Sequence, residues 1–332
     1  MNYIGSKLKL SPWIKKEITA IVGSLEDKVF CDLFAGTGTI GKAFKKYVKK
    51  VISNDIEEYS YVLNRNYIQN HKAIENSDKF IAALNTLKPL EDGFIYKHYC
   101  IGGDNGRQYF SDENGKKIDA VRAKINEWRE SGEIDDDLYY FLLSSLLESA
   151  DKVANTASIY GAFLKKMKKS AKKPLKILAS DFELNNNCHE VYKTDSNVLI
   201  KKISGDILYL DPPYNIRQYG ANYHILNTIA KYDDFIPFGK TGIRKYVRSD
   251  YCKKKRALKS FEELIKDANF KHIFLSYNNE GLMSLKQIKA VMEKYGQYCL
   301  KTKEHRRYIS NKNGERKTAS TLEYLHVLEK RL

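Results

Sequence analysis

The chain has 332 residues, of which 42% are apolar and 30% charged, the balance of a folded protein and not of a disordered one. No apolar run approaches the ~18 residues of a membrane span, and the opening MNYIGSKLKLSPWIKKE has no signal-peptide core, so a cytoplasmic, membrane-free address is expected. Lys and Arg outnumber Asp and Glu by 57 to 41, a net +16, which favours a polyanionic partner, although a lysine-rich solvated surface gives the same balance. The five cysteines include no CxxC pair, so free thiols are expected and no metal site.

In chain order, Ser11 followed by Pro12 predicts an N-cap and first turn, opening a helix to about Val22 with Ile14, Ile18 and Ile21 on one face. Short apolar runs at Val29 to Phe34, Val51 to Asn54, Ile177 to Ala179, Ile207 to Leu210 and Ile273 to Ser276 read as buried strands. Their alternation with helical patterns predicts an α/β domain with a mostly parallel, doubly wound sheet. Gln297 to Lys303 and Thr321 to Leu328 flank Asn313 and Gly314 and read as a closing antiparallel hairpin. Between about residues 75 and 173 the strand rhythm gives way to helical stretches such as Ala120 to Arg129 and Leu138 to Val153. The expected organisation is therefore 1–74 and 174–332 as one catalytic domain, with 75–173 as an inserted helical subdomain. The run Lys165 to Lys173, six lysines in nine residues, fits a solvated tether as well as a phosphate contact.

Two motifs carry chemistry. VFCDLF runs into AGTGTIG, so Gly36, Gly38 and Gly41 form G-x-G-x-x-G at a strand-to-helix turn, where glycine lets the backbone approach a ligand closely. Asp55, ending the second strand, suits both hydroxyls of a ribose. An adenosine-bearing ligand is implied, and a nicotinamide cofactor would use the same loop and acid. The second motif is Asp211-Pro212-Pro213-Tyr214, directly after the buried strand Ile207 to Leu210. An aromatic amino group is a poor nucleophile because its lone pair is delocalised into the ring. Asp211 can accept one of its N–H bonds and the Pro212 carbonyl the other, on a backbone that two prolines hold rigid. Tyr214 supplies a flat face for a base taken out of a duplex.

With these motifs the sequence resembles the Dam-like adenine-N6 DNA methyltransferases, many of which belong to restriction-modification systems. The resemblance spans nearly the whole chain. It implies a Rossmann-like class I methyltransferase fold, S-adenosyl-L-methionine as cofactor and duplex DNA as substrate. Tyr3, Gly5 and Lys7 of NYIGSK fit the segment that closes over the methionine end of the cofactor, with Lys7 pairing to its carboxylate. Phe34, Gly36 and Gly38 of FAGTG match the glycine loop, Asp55 the ribose ligand, and Asp181 with Phe182 of ASDF the residues near the cofactor adenine. Asp211 to Tyr214 match the catalytic segment, and the insertion becomes the candidate DNA-recognition region. SYNN, Ser276 to Asn279, would line the target-base side, and the basic stretch Arg306 to Lys317 would meet DNA, ahead of Glu323, Tyr324 and Leu325 in the last strand. Arg217, Gln218, Asn222 and His224 fit either a loop over the flipped base or a structural role, and Gly242 to Arg256 fits a DNA surface or solubility. A cognate restriction endonuclease is a further expected partner. An RNA or protein methyltransferase, a nicotinamide-dependent dehydrogenase and a non-catalytic nucleic-acid binder remain open on sequence alone.

Overall fold

The computed structural model describes residues 3–306 and 320–331, and the chain forms two compact units. One, the sheet unit, comprises Ser6–Ile56, Asn187–Gln218 and Val247–Leu332; the other, the helical unit, comprises Met1–Gly5, Glu57–Asn186 and Tyr219–Tyr246.

The sheet unit holds seven strands: β1 Val29–Asp32, β2 Lys50–Asn54, β3 Glu190–Tyr192, β4 Ser204–Leu210, β5 Asn269–Asn278, β6 Gly296–Arg306 and β7 Ser320–Lys330. Their order is β3-β2-β1-β4-β5-β7-β6. The first five pair in parallel and β7 is antiparallel to both β5 and β6. This is the doubly wound α/β sheet with a C-terminal antiparallel hairpin that the strand rhythm predicts. Side chains alternate across it. Cys31, Leu208, Leu210, Ile273 and Leu275 join Phe261, Leu264, Ile288 and Met292, from the helices Ala257–Asp267 and Leu285–Glu293, in one buried cluster. On the opposite face Phe44, from the helix Thr39–Phe44, stacks on Phe30 at 4.1 Å between ring centroids. Two covered faces explain why β4 and β5 read as continuous apolar runs instead of alternating ones.

The order reverses between β1 and β4, because β1 lies between β2 and β4. Chain segments leaving β1 and β4 in opposite directions leave a crevice at their carboxyl ends, the usual ligand position in such sheets. Both chemical motifs leave the sheet at that edge.

Two expectations require correction. Ile177 to Ala179 is no strand: it belongs to the helical unit, where side chains take the place of a neighbouring strand. Asn85 accepts from Ile177 N and donates to Ile177 O, Ser149 Oγ accepts from Leu178 N, and Ser145 Oγ from Ser180 N. The third strand is instead Glu190–Tyr192, too short and too polar to show a period. Ser11 is the first residue of its helix and not its cap: Leu10 occupies the cap position, and the Ser11 hydroxyl donates to the Leu8 carbonyl. The basic stretch after Arg306, with Asn313 and Gly314, lies outside the described residues.

The helical unit is held by buried polar side chains at helix ends, where backbone groups lack intrahelical partners. Asp119 accepts from the N–H groups of Ile95 and Tyr96, capping the helix Phe94–Tyr99. Arg122, almost fully buried, donates to the carbonyls of Ile229 and Ala230 at the end of the helix His224–Lys231. Ser111 and Asp135 cap the long helices Asp112–Glu130 and Asp136–Val153. The unit extends beyond 75–173 on both sides and includes Tyr219–Tyr246, a chain segment that local pattern does not connect to it.

Candidate active site

The glycine loop follows β1 with Gly36 and Gly38 at φ of 52° and 72°, a region in which a side chain is strained. That lets the backbone turn at the strand end, with no side chain at these two positions. Asp55, just past β2, reaches across to accept the Gly36 N–H on Oδ2 at 2.8 Å, so loop and acid form one structure. Phe34 is half-buried and meets the Tyr251 ring edge-on at 5.0 Å. Beneath the loop, Asp32 accepts the Gly41 N–H at 3.1 Å, while its Oδ1 has no hydrogen-bond partner among the described residues. Burial drives its pKa up to about 8, and the Gly41 N–H only partly opposes this. Asp32 was not singled out from sequence, yet it ties the loop to its strand.

Asp211 to Tyr214 leave β4 beside this loop. Asp211 Oδ1 accepts the Tyr214 hydroxyl at 2.6 Å and lies 3.1 Å from Lys7 Nζ. Lys7 also lies 3.2 Å from Glu323 Oε1 and donates to the Tyr214 hydroxyl. Burial raises the Asp211 pKa above the ordinary carboxylate value, with Lys7 and the Tyr214 hydroxyl pulling it back. For Lys7 burial acts downward, but the carboxylates of Asp211 and Glu323 outweigh it and keep the ammonium's pKa raised. Tyr214 is held well above its usual pKa, first by burial and then by the two carboxylates, so it stays a neutral phenol. Its ring meets Tyr277 at 4.8 Å and the Lys7 ammonium lies 4.6 Å from its centroid.

The sheet unit thus brings Lys7, Phe34, Gly36, Gly38, Asp55 and the Asp211 to Tyr214 segment to the carboxyl ends of the adjacent strands β2, β1 and β4. Tyr3, Asp181 and Phe182 belong to the helical unit. Tyr3 stacks on Tyr223 at 4.6 Å there, Asp181 is exposed, and Phe182 meets Phe141 at 6.2 Å. Of the residues with two readings, His224 is fully buried against the Tyr160 carbonyl at 2.9 Å, and burial lowers its pKa to about 4. It is a neutral structural group. Gln218 braces the backbone of Ser249 through both amide atoms. Ser276 points its hydroxyl at Glu323 Oε1, 2.7 Å away.

A model of the family described as D12 class N6 adenine-specific DNA methyltransferase matches residues 3–292. The chain belongs to this family. It is 61% identical to the Type II methyltransferase M.NlaIII of Neisseria lactamica, over 99% of both chains. It is 37% identical to M.CviAII of Paramecium bursaria Chlorella virus 1, over 93% of this chain and 92% of that one. It is also 38% identical to M.FokI of Planomicrobium okeanokoites, of which it spans 53%. Membership makes this chain an adenine-N6 DNA methyltransferase of the class I fold and sets aside the dehydrogenase, RNA, protein and non-catalytic alternatives. Methyl transfer in this family implies S-adenosylmethionine, and the arrangement here fits it: a glycine loop after β1 and a carboxylate after β2, joined by one hydrogen bond, with β1 next to the strand that leads into the Asp-Pro-Pro-Tyr segment. Among the described residues no group of His, Cys, Asp and Glu could hold a metal ion, and no helix is long and apolar enough to cross a membrane.

Proposed function

We propose that this methyltransferase is the modification enzyme of a type II restriction-modification system and methylates adenine N6 within one short duplex sequence. The observation that carries the reading is Asp211, placed by β4 at the crevice edge beside the glycine loop. With the target base out of the helix, Asp211 and the Pro212 carbonyl take its two N–H bonds, and Tyr214 presents its ring. The N6 lone pair would then be free to attack the methyl carbon in one displacement, the sulfur leaving as a thioether with the electron pair of the broken bond and the methylated nitrogen releasing one proton to solvent, with no covalent enzyme intermediate. S-Adenosylmethionine supplies the methyl group. Gly36, Gly38 and Phe34 would cradle it, Asp55 would hold its ribose, Asp181 and Phe182 would serve its adenine end, and Tyr3 with Lys7 the methionine end.

The tract 75–173 within the helical unit is the proposed DNA-recognition region, supported by the absence of any strand there and by the lysine run Lys165 to Lys173 at its end. A cognate endonuclease and a cytoplasmic location belong to the same reading. The names of the relatives support it, since they include Type II methyltransferases and the modification methylases StsI and LlaI.

Labelled methyl transfer to mixed-sequence duplex DNA, followed by nucleoside analysis and mapping, tests the proposal. N6-methyladenine at a single short motif is the expected product; methylation scattered without a motif would rule out the modification role. For the cofactor, Asp55→Ala is expected to weaken S-adenosylmethionine binding by about 10-fold or more, as for a lost charge-assisted hydrogen bond. Calorimetric titration checks this, and an unchanged affinity would remove Asp55 from the ribose role.

A further inference from the structure

We propose that Glu323, on β7, is a positioning residue for methyl transfer: it shares the Lys7 ammonium with Asp211 and so leaves the site one negative charge in excess. The inference rests on the reading that Asp211 accepts an N–H of the target adenine.

Glu323 is buried, at 5% exposure, and Oε1 gathers three donors. Lys7 Nζ stands at 3.2 Å, the Tyr214 hydroxyl at 3.1 Å and Ser276 Oγ at 2.7 Å. Two of these three also contact Asp211 Oδ1. The Tyr214 phenol has one proton and can donate to only one carboxylate at a time, and Lys7 is nearly equidistant from both. Asp211 with Lys7 alone would be a neutral pair, a weak acceptor for a substrate N–H. Adding Glu323 makes the cluster net negative, with Lys7 shared between the two carboxylates.

That excess matters because methylation makes N6 more positive before the nitrogen gives up its proton. An acceptor carrying uncompensated negative charge binds N–H more strongly as that charge develops, which is the condition for lowering a barrier and not merely binding the ground state. Nothing in the local sequence requires an acid here. Glu323 shares a strand face with Leu325 and Val327, both buried, and an apolar residue would complete that face.

The groups facing Asp211 are Lys7 from the N-terminal segment, Tyr214 from its own segment, Glu323 from β7, Tyr209 from β4 and Asp32 from β1. Among them Lys7 and the Tyr214 hydroxyl lower the Asp211 pKa, and Glu323 raises it.

The test is Glu323→Gln in the full chain, assayed on a duplex oligonucleotide carrying the mapped motif. Expected is a fall in kcat of about 10- to 100-fold, the range for groups that tune a site without touching the reacting atoms, with KM for DNA little changed. The acid limb of the kcat–pH profile should also move to lower pH, because Asp211 loses the neighbouring charge that raises it. A slower enzyme with an unmoved limb, or an unchanged kcat, overturns the proposal. Should Glu323→Gln not fold, Glu323→Asp keeps the charge but draws it back from Lys7, and is expected to be intermediate in both readouts; identity with wild type overturns the inference. Asp211→Asn separates this idea from its premise. If that variant retains the wild-type rate, the role of Asp211 fails; if it is inactive while Glu323→Gln behaves as wild type, only the role of Glu323 fails.

Discussion

Asp211→Ala is expected to abolish methyl transfer to DNA while leaving S-adenosylmethionine affinity within about twofold. Removing one preorganised group that acts mainly in the transition state costs on the order of 10²–10³ in rate, and a charged acceptor places the effect at the upper end. Cofactor binding should survive because the loop at Gly36 is held by Asp55, not by Asp211. Folding should survive because Lys7 keeps Glu323 as counter-charge at 3.2 Å. Single-turnover transfer with saturating cofactor and DNA is the measurement. A rate near that of wild type would falsify the mechanism outright, since no other acidic side chain follows β4 in the Asp-Pro-Pro-Tyr segment.

The parts of the site legible in the sequence were those in which a short local pattern ends a strand. Gly36, Gly38, Asp55 and Asp211 each close an apolar run, so their placement at one sheet edge follows from the parallel order of β2, β1 and β4. What was not legible depends on contacts between distant parts of the chain. Lys7 was expected on a cofactor carboxylate by resemblance, and its contacts with Asp211 and Glu323 had no signal in the sequence. Glu323 carried one faint signal, an acid on the apolar phase of a strand, which has meaning only once β7 is known to lie beside β5. Ile177 to Ala179 misled because an apolar tripeptide looks the same whether a strand or the side chains of Asn85, Ser145 and Ser149 satisfy its backbone. His224 looked like a candidate near the mouth of the site, but its burial against Tyr160 belongs to the helical unit. The polar strand β3 escaped notice because it is three residues long and presents no repeat to recognise.

Lys7→Met is expected to be the most destabilising single change at the sheet edge. Lys7 is 5% exposed and serves the buried Glu323 and the partly buried Asp211, so its removal leaves like charges close together with no cation between them. Breaking a buried pair by removing one partner typically costs about 3–5 kcal/mol, and methionine replaces most of the stem volume, so a cavity contributes little. The loss should depend on pH, and the sign follows from Asp211. Burial already holds its folded pKa above the ordinary carboxylate value, and Lys7 is the main group opposing that rise. Without Lys7 the folded pKa climbs further. A carboxyl whose pKa is higher folded than unfolded contributes stability that is present in acid and lost as pH rises through the folded value. The deficit relative to wild type should therefore be smaller at pH 5 than at pH 8, because the raised Asp211 pKa favours its protonation toward acid. Thermal melts at the two pH values read this directly, and an equal deficit at both would assign the effect to packing. Adding Glu323→Gln to Lys7→Met should restore much of the stability at pH 8, a non-additivity expected of groups in one network. That same double variant keeps one uncompensated negative charge, on Asp211, so it is expected to transfer methyl groups faster than Glu323→Gln alone, in which Lys7 neutralises Asp211.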